Sequence, residues 1–288
     1  VPRLLAVGHV TWDRIQDQTV LGGTVTYAAH AASRLGWQVG VLTSAGPDFD
    51  PGGDLPEAPV FVERAPATTR FANHYDGEDG GRRHQVLSAR AGEIALAPLP
   101  AEWRQPDVLL LGPVAGEVPV GMALAFEAEV VGAIAQGWVR EFDPAGNVSA
   151  APWVDPGRDL AGVHVLFLSQ HDLPDAARHA RELLSVVPVV VLTRGWEGAT
   201  VFTRQSVQDV PSLPRQEVDP TGAGDVFAAA FLLRYHETGD LGEAAAFGAC
   251  AASCAVEGLG TSALGDRAEI ERRLALRERL IEEGEWDE

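Results

Sequence analysis

Short apolar runs rich in valine and leucine recur along this chain, at LLAVGHV, VGVLTS, DVLLLG, HVLFLS and VVVLTRG, and helical patterns lie between them. A strand that is apolar on both faces must be covered on both faces, so the alternation predicts a mainly parallel sheet flanked by helices, an α/β fold. In TVTYAAHAASRLG, Val25, Ala28, Ala29, Ala32 and Leu35 recur at helical spacing and Gly36 closes the helix. The same grammar pairs DVLLLG with a helix over MALAFEAEVVGAIAQ, adds a strand at WVREFD, and pairs HVLFLS with a helix over DAARHARELL. Residues 60–90 break the rhythm. There FVERA, TTRFANHYD and RRHQVLSA read as strands, the last two joined by a GEDGG turn. An antiparallel excursion of this size cannot hold its own core, which predicts a small β lid or an interface. Helices are expected over 226–235, over 241–257 and from 266 onward, the last with a solvated, charged face.

Composition removes whole classes of function. The 288 residues, 46% hydrophobic, suffice for one large core, so a single domain over 1–288 with a lid inserted at about 60–90 is expected. The formal net charge of −19 argues against a nucleic-acid partner, which would need concentrated positive charge. The apolar runs are too short for a bilayer and no basic-then-apolar leader opens the sequence, so no membrane partner and a cytoplasmic location are expected. The chain has no lysine, which rules out a P-loop lysine and a Schiff base and leaves backbone amides, arginine and a metal ion to hold phosphate. Cys250 and Cys254, four apart in a run of small residues, read as core residues without chemistry. His9, His164 and His171 have no metal-site spacing.

The segment DPTGAGD, residues 219–225, runs directly into the apolar helix VFAAAFLL. A glycine-rich turn at a helix N-terminus offers unpaired N–H groups and the positive end of the helix dipole, a ready site for an anion. A carboxylate beside that site would repel a phosphate unless it served proton chemistry, which makes Asp225 a candidate base for a hydroxyl attacking a phosphoryl group. Taken alone, Asp219 as a turn residue and Asp225 as a dipole-offsetting residue would explain the same letters. In open parallel sheets ligands bind beyond the carboxyl ends of the strands. Asp13 just past the first strand, Gly22-Gly23, 169–172, 193–198 and DPTGAGD would all converge there.

GHVTWD, LGGTVTYAAHAASRLG, LTRGWEGA, DPTGAGD and VEGLGTSAL, in this order and approximate spacing, resemble the ribokinase-like (PfkB) carbohydrate kinases over most of the chain. The resemblance implies ATP and Mg²⁺ as cofactors, leaves room for a monovalent cation, and implies a small polyol substrate. At matching positions it implies that Asp13 binds substrate hydroxyls, that Gly22 and Gly23 let the sugar approach the backbone, and that Thr193, Gly195, Gly198, Thr221 and Ser169 border ATP. Gly222, Ala223 and Gly224 would form the anion hole and Asp225 would be the base. Asn73 on the lid is a further substrate candidate, since alternate strand residues share a face.

Two positions depart from the family pattern. Tyr27 stands where the family usually has asparagine, and Ser169-Gln-His-Asp172 stands where many members have Asn-x-x-Glu, which leaves Asp172 to support Mg²⁺ through water. With GHVTWD and VEGLGTS these variants look most like an inositol-kinase-like branch, so the expected reaction is phosphorylation of a sugar or cyclitol, myo-inositol foremost. A ribose or adenosine-type nucleoside kinase is the alternative within the enzyme class, Trp12, Phe71 and Tyr75 then stacking on a base. A noncatalytic nucleotide sensor is the alternative outside it. A lid with one bare sheet face would also suit a homodimer.

Overall fold

A computed structural model describes residues 1–15, 18–55, 58–75 and 83–283. Among these the strands are β1 (Arg3–Val7), β2 (Thr11–Ile15), β3 (Gln18–Gly22), β4 (Gln38–Ala45), β5 (Val60–Arg64), β6 (Thr69–Tyr75), β7 (Arg83–Ala89), β8 (Val108–Leu111), β9 (Val130–Ile134), β10 (Arg140–Phe142), β11 (Val148–Ala150), β12 (Val165–Ser169), β13 (Val189–Thr193), β14 (Ala199–Thr203) and β15 (Val207–Val210). The helices are α1 (Thr24–Arg34), the single turns α2 (Pro51–Asp54) and α3 (Pro156–Asp159), α4 (Ala176–Leu183), α5 (Ala223–Thr238), α6 (Leu241–Ala255) and α7 (Arg267–Glu283). None is long and apolar enough to cross a membrane.

The large sheet has the order β15-β14-β13-β12-β9-β8-β1-β4-β5, parallel from β13 to β5, with β14 and β15 antiparallel at one edge. Successive residues of β1 point to opposite faces, and each face has its own core. Leu4 and Ala6 pack with Ala28 of α1, Phe231 of α5 and Phe247 of α6. Leu5 and Val7 pack with Trp103, Leu160 and Ala180 of α4. Cys250 and Cys254 are buried in α6, and burial pushes their thiols up to about 12 and about 11, in keeping with inert core residues.

Three segments sit differently from the sequence expectation. FVERA belongs to the large sheet, where β5 pairs in parallel with β4 from Val41↔Val60 to Ala45↔Arg64. The helix expected over MALAFEAEVVGAIAQ reduces to a 3-10 turn at Met122–Ala125, after which VVGAI forms the wholly buried strand β9. Gly132 explains the choice: any Cβ there would collide with Leu232 of α5, so the helix packs directly against this strand. WVREFD does form a strand, but β10 pairs with β11 in a small antiparallel hairpin instead of joining the large sheet.

The lid is a separate sheet, β3-β2-β6-β7, and half of it comes from residues 11–22 rather than 60–90. Its two hairpins are antiparallel and meet through a parallel pairing of β2 with β6. The expected GEDGG turn and the side chains of His74 and Tyr75 lie outside the described residues. A buried polar network ties the lid to the large sheet. His9 Nε2 donates to Gly92 O (2.8 Å), so its Nδ1 accepts from Thr69 Oγ1 (2.8 Å). The carboxylate of Glu117 accepts from the amides of His9 (2.9 Å) and Ala115 (2.7 Å). The hairpin loop adds a second tie, with Leu87 N–H of β7 donating to Gly146 O (2.8 Å).

Candidate active site

The turn leading into α5 is fixed before any ligand is considered. Val218 and Asp219 N–H both donate to Val256 O (2.7 and 3.2 Å), and Asp219 Oδ1 accepts from Thr221 N–H (3.0 Å). Gly222 then caps the helix in the left-handed region, φ 79°, without a side-chain cap. A Cβ at Gly222 would run into the ring of Tyr27, which is 1% exposed. Tyr27, the departure from the family pattern, therefore forms the wall against which the glycine turn is pressed. Ala223 N–H donates to Pro220 O (3.2 Å) and so is engaged in the turn, leaving Gly224 and the dipole end as the better-placed anion donors. Asp225 lies in the first helical turn, and its Oδ1 accepts from Thr24 Oγ1 (2.7 Å). Thr24 is held in turn by Gly112, where a Cβ would overlap its side chain.

Asp13, expected in a loop, is an inward-facing residue of lid strand β2, 5% exposed, and accepts from Thr11 Oγ1 (2.9 Å). Gly22 has no room for a Cβ because the Asp13 carboxylate lies against it, and Gly23, φ 87°, has none because of His9 O. The double glycine thus permits close packing around Asp13 as much as approach of a substrate. Asp13, Gly23, Thr221, Gly222 and Asp225 line one cleft, together with Thr11, Thr24, Tyr27, Phe71 and Val114. Gln85, Gln136 and Arg140 complete it. Asn73 is buried and accepts from Gln85 Nε2 (3.0 Å), so it reaches the cleft through its neighbour.

The remaining candidates stand at the ends of adjacent strands, with Ser169 of β12 in register with Thr193 of β13. Gly195 (φ 60°) and Gly198 (φ 95°) shape the tight turn into β14, and a Cβ on Gly198 would strike Val210 O. Ser169 N–H donates to Asp172 Oδ2 (2.7 Å). Burial raises the Asp172 carboxyl above its usual range, and the Ser169 amide, Arg140 and His171 only partly offset that. Thr221 Oγ1 and Asp219 Oδ2 are buried without a hydrogen-bond partner among the described residues, polar capacity left over beside the cleft.

Sequence reasoning missed Thr24, Gln85, Gln136 and Arg140. Thr24 follows the double glycine directly, which is a usable signal. Arg140 sat in a stretch read as a strand, and only the tertiary structure turns it toward the cleft.

The fold is that of the ribokinase-like kinases. A pyrophosphate-dependent kinase in the ribokinase family, solved with a pyrophosphate analog and myo-inositol, superposes with a TM-score of 0.76 at 20% identity, covering 93% of this chain and 99% of that one. Residues 158–267 match the pfkB family carbohydrate kinase pattern, a family of phosphotransferases with an alcohol acceptor. Cytidine kinase of Thermococcus kodakarensis is 26% identical over 257 residues, 81% of this chain and 88% of the relative. Inositol 3-kinase of Arabidopsis thaliana is 27% identical over 271 residues, 90% of this chain and 75% of the relative. The matched relatives are nucleoside and inositol kinases, and the chain shares the fold of the ribokinase-family kinases.

Proposed function

We propose that the protein is an ATP-dependent kinase that phosphorylates a hydroxyl of a small cyclitol or sugar, myo-inositol foremost, with Asp225 as general base. One observation carries the reading: Asp225, oriented by Thr24 at the N-terminus of α5, lines the same cleft as the buried Asp13. Asp13 accepts hydrogen bonds from substrate hydroxyls and holds the acceptor, and Asp225 takes the proton of the attacking hydroxyl as its oxygen bonds to the γ-phosphorus. The bond from that phosphorus to the bridging oxygen breaks and ADP leaves. Gly224 N–H and the dipole of α5 absorb charge on the transferred group, and Ser169, Thr193, Gly195 and Gly198 border the nucleotide.

Mg²⁺ would suit oxygen donors of this kind, and the residues that would support it are Asp172 and Thr221, whose buried hydroxyl lacks a hydrogen-bond partner among the described residues. When bound, the ion supplies positive charge to the phosphate oxygens.

The test is Asp225→Asn in an ADP-release assay over myo-inositol, ribose, fructose, 2-keto-3-deoxygluconate, adenosine and cytidine. Turnover is expected to fall by about 10²–10⁴-fold, with ADP binding by calorimetry retained. Unchanged turnover ends the proposed mechanism. A nucleoside acceptor is the second reading, favoured by the aromatic rings of Tyr27 and Phe71 on the cleft wall, and the same panel decides it.

A further inference from the structure

We infer that Arg140 is the guanidinium that neutralises the transferred phosphoryl group, and that the β10–β11 hairpin carries it in step with the lid. The inference rests on the kinase reading above and adds a residue to it. The cleft holds two carboxylates, Asp13 and Asp225, which by themselves would repel a polyphosphate. A phosphoryl group in transfer spreads negative charge over three oxygens, and that charge needs cationic partners. The chain contains no lysine. Among the described residues that line the cleft, Arg140 is the only arginine. It shares that cleft with Asp225 at the N-terminus of α5. A planar fork on a short strand suits bidentate contact with phosphate oxygens.

The hairpin explains how this charge would be delivered. Arg140 begins β10, paired through Arg140↔Ala150 and Phe142↔Val148. The connecting loop grips the lid: Gly146 O accepts from Leu87 N–H, and Asn147 bridges to Val86, both on β7. Gly146 is in the left-handed region, φ 86°, and a Cβ there would overlap Leu87 O, so the contact is close on both sides. Phe142 and Val148 pack with Leu87 and Phe71 of the lid. A lid that moves therefore carries the hairpin with it, and positive charge enters as the acceptor is enclosed.

The experiment uses the full chain with Arg140→Gln, Arg140→Lys, Arg140→Ala and Gly146→Ala. In Arg140→Gln, affinity for inorganic tripolyphosphate with Mg²⁺, read by calorimetry, is expected to fall about 10-fold or more, and kcat by at least about 10²-fold, at unchanged Tm. Arg140→Lys should recover part of kcat, and free guanidinium should rescue Arg140→Ala. Gly146→Ala should lower kcat without guanidinium rescue, because the side chain is present but its delivery is impaired. Wild-type kcat and tripolyphosphate affinity in Arg140→Gln would overturn the inference and leave the kinase reading intact. If wild type turns over none of the acceptors while tripolyphosphate binding still depends on Arg140, the acceptor reading falls and the phosphate role stands.

Discussion

The proposed acceptor end, the cleft around Asp13 and Asp225, and the proposed donor end, the strand ends at Ser169 and Thr193, are built by different means. At the acceptor end, side chains far apart in sequence hold one another: Thr24 and Asp225 are 201 positions apart, and Asp13 is wedged against Gly22 by strand pairing. At the donor end the contacts are local. Ser169 N–H reaches Asp172 three residues away, Arg194 N–H donates to Gly198 O (2.8 Å), and Trp196 in that turn is 84% exposed. The acceptor end is therefore preorganised by the tertiary fold, where a small steric change spreads, and the donor end by main-chain geometry that tolerates side-chain change.

The sharpest test of this contrast is Gly222→Ala. It forces a Cβ into the Tyr27 ring and strains a left-handed residue, so kcat/KM is expected to fall by more than about 100-fold, read by steady-state kinetics. Full activity would show that the Tyr27 wall imposes no constraint. Thr24→Val comes next. It removes one hydrogen bond to a carboxylate, and a loss of about 10–100-fold in kcat with little change in Tm is expected.

A smaller effect is expected at Asp172. Because burial raises its carboxyl, the folded chain binds the proton more tightly than the unfolded chain does. The stability from this group is full below the ordinary carboxylate value of 3.8 and is lost as pH rises through the raised value. Asp172→Asn cannot ionise, so its Tm should gain on wild type as pH rises from the ordinary carboxylate value of 3.8 through the raised one. A flat difference across that range would contradict the assignment. Last, Trp196→Ala should shift Tm by no more than about 2 °C, since an exposed side chain leaves no cavity.

The parallel sheet was legible because its strands are apolar on both faces, and α5 because DPTGAGD announces a helix start. The lid was half legible. Its strand β2 alternates buried Thr11 and Asp13 with half-buried Trp12 and exposed Arg14, and such a short polar run carries too little hydrophobic signal to declare a strand. VVGAI misled for the opposite reason, because a buried strand and a buried helix segment share one composition and only the contact of Gly132 with Leu232 separates them. In the site, Asp13, Gly222 and Asp225 were readable from motif chemistry. Arg140 and Gln85 were not, because their place depends on pairings of β10 with β11 and β6 with β7.

Helix α5 meets the cleft only with its first turn, and its residues 226–233 are walled in by the sheet and its helical neighbours. Lid positions such as Phe71 and Gln85 stand on a different sheet, so drift there can recruit a new alcohol without unsettling the bed beneath Asp225. A library meant to change clientele belongs on β2, β6 and β7, and one that strays into α5 will mostly return misfolded chains.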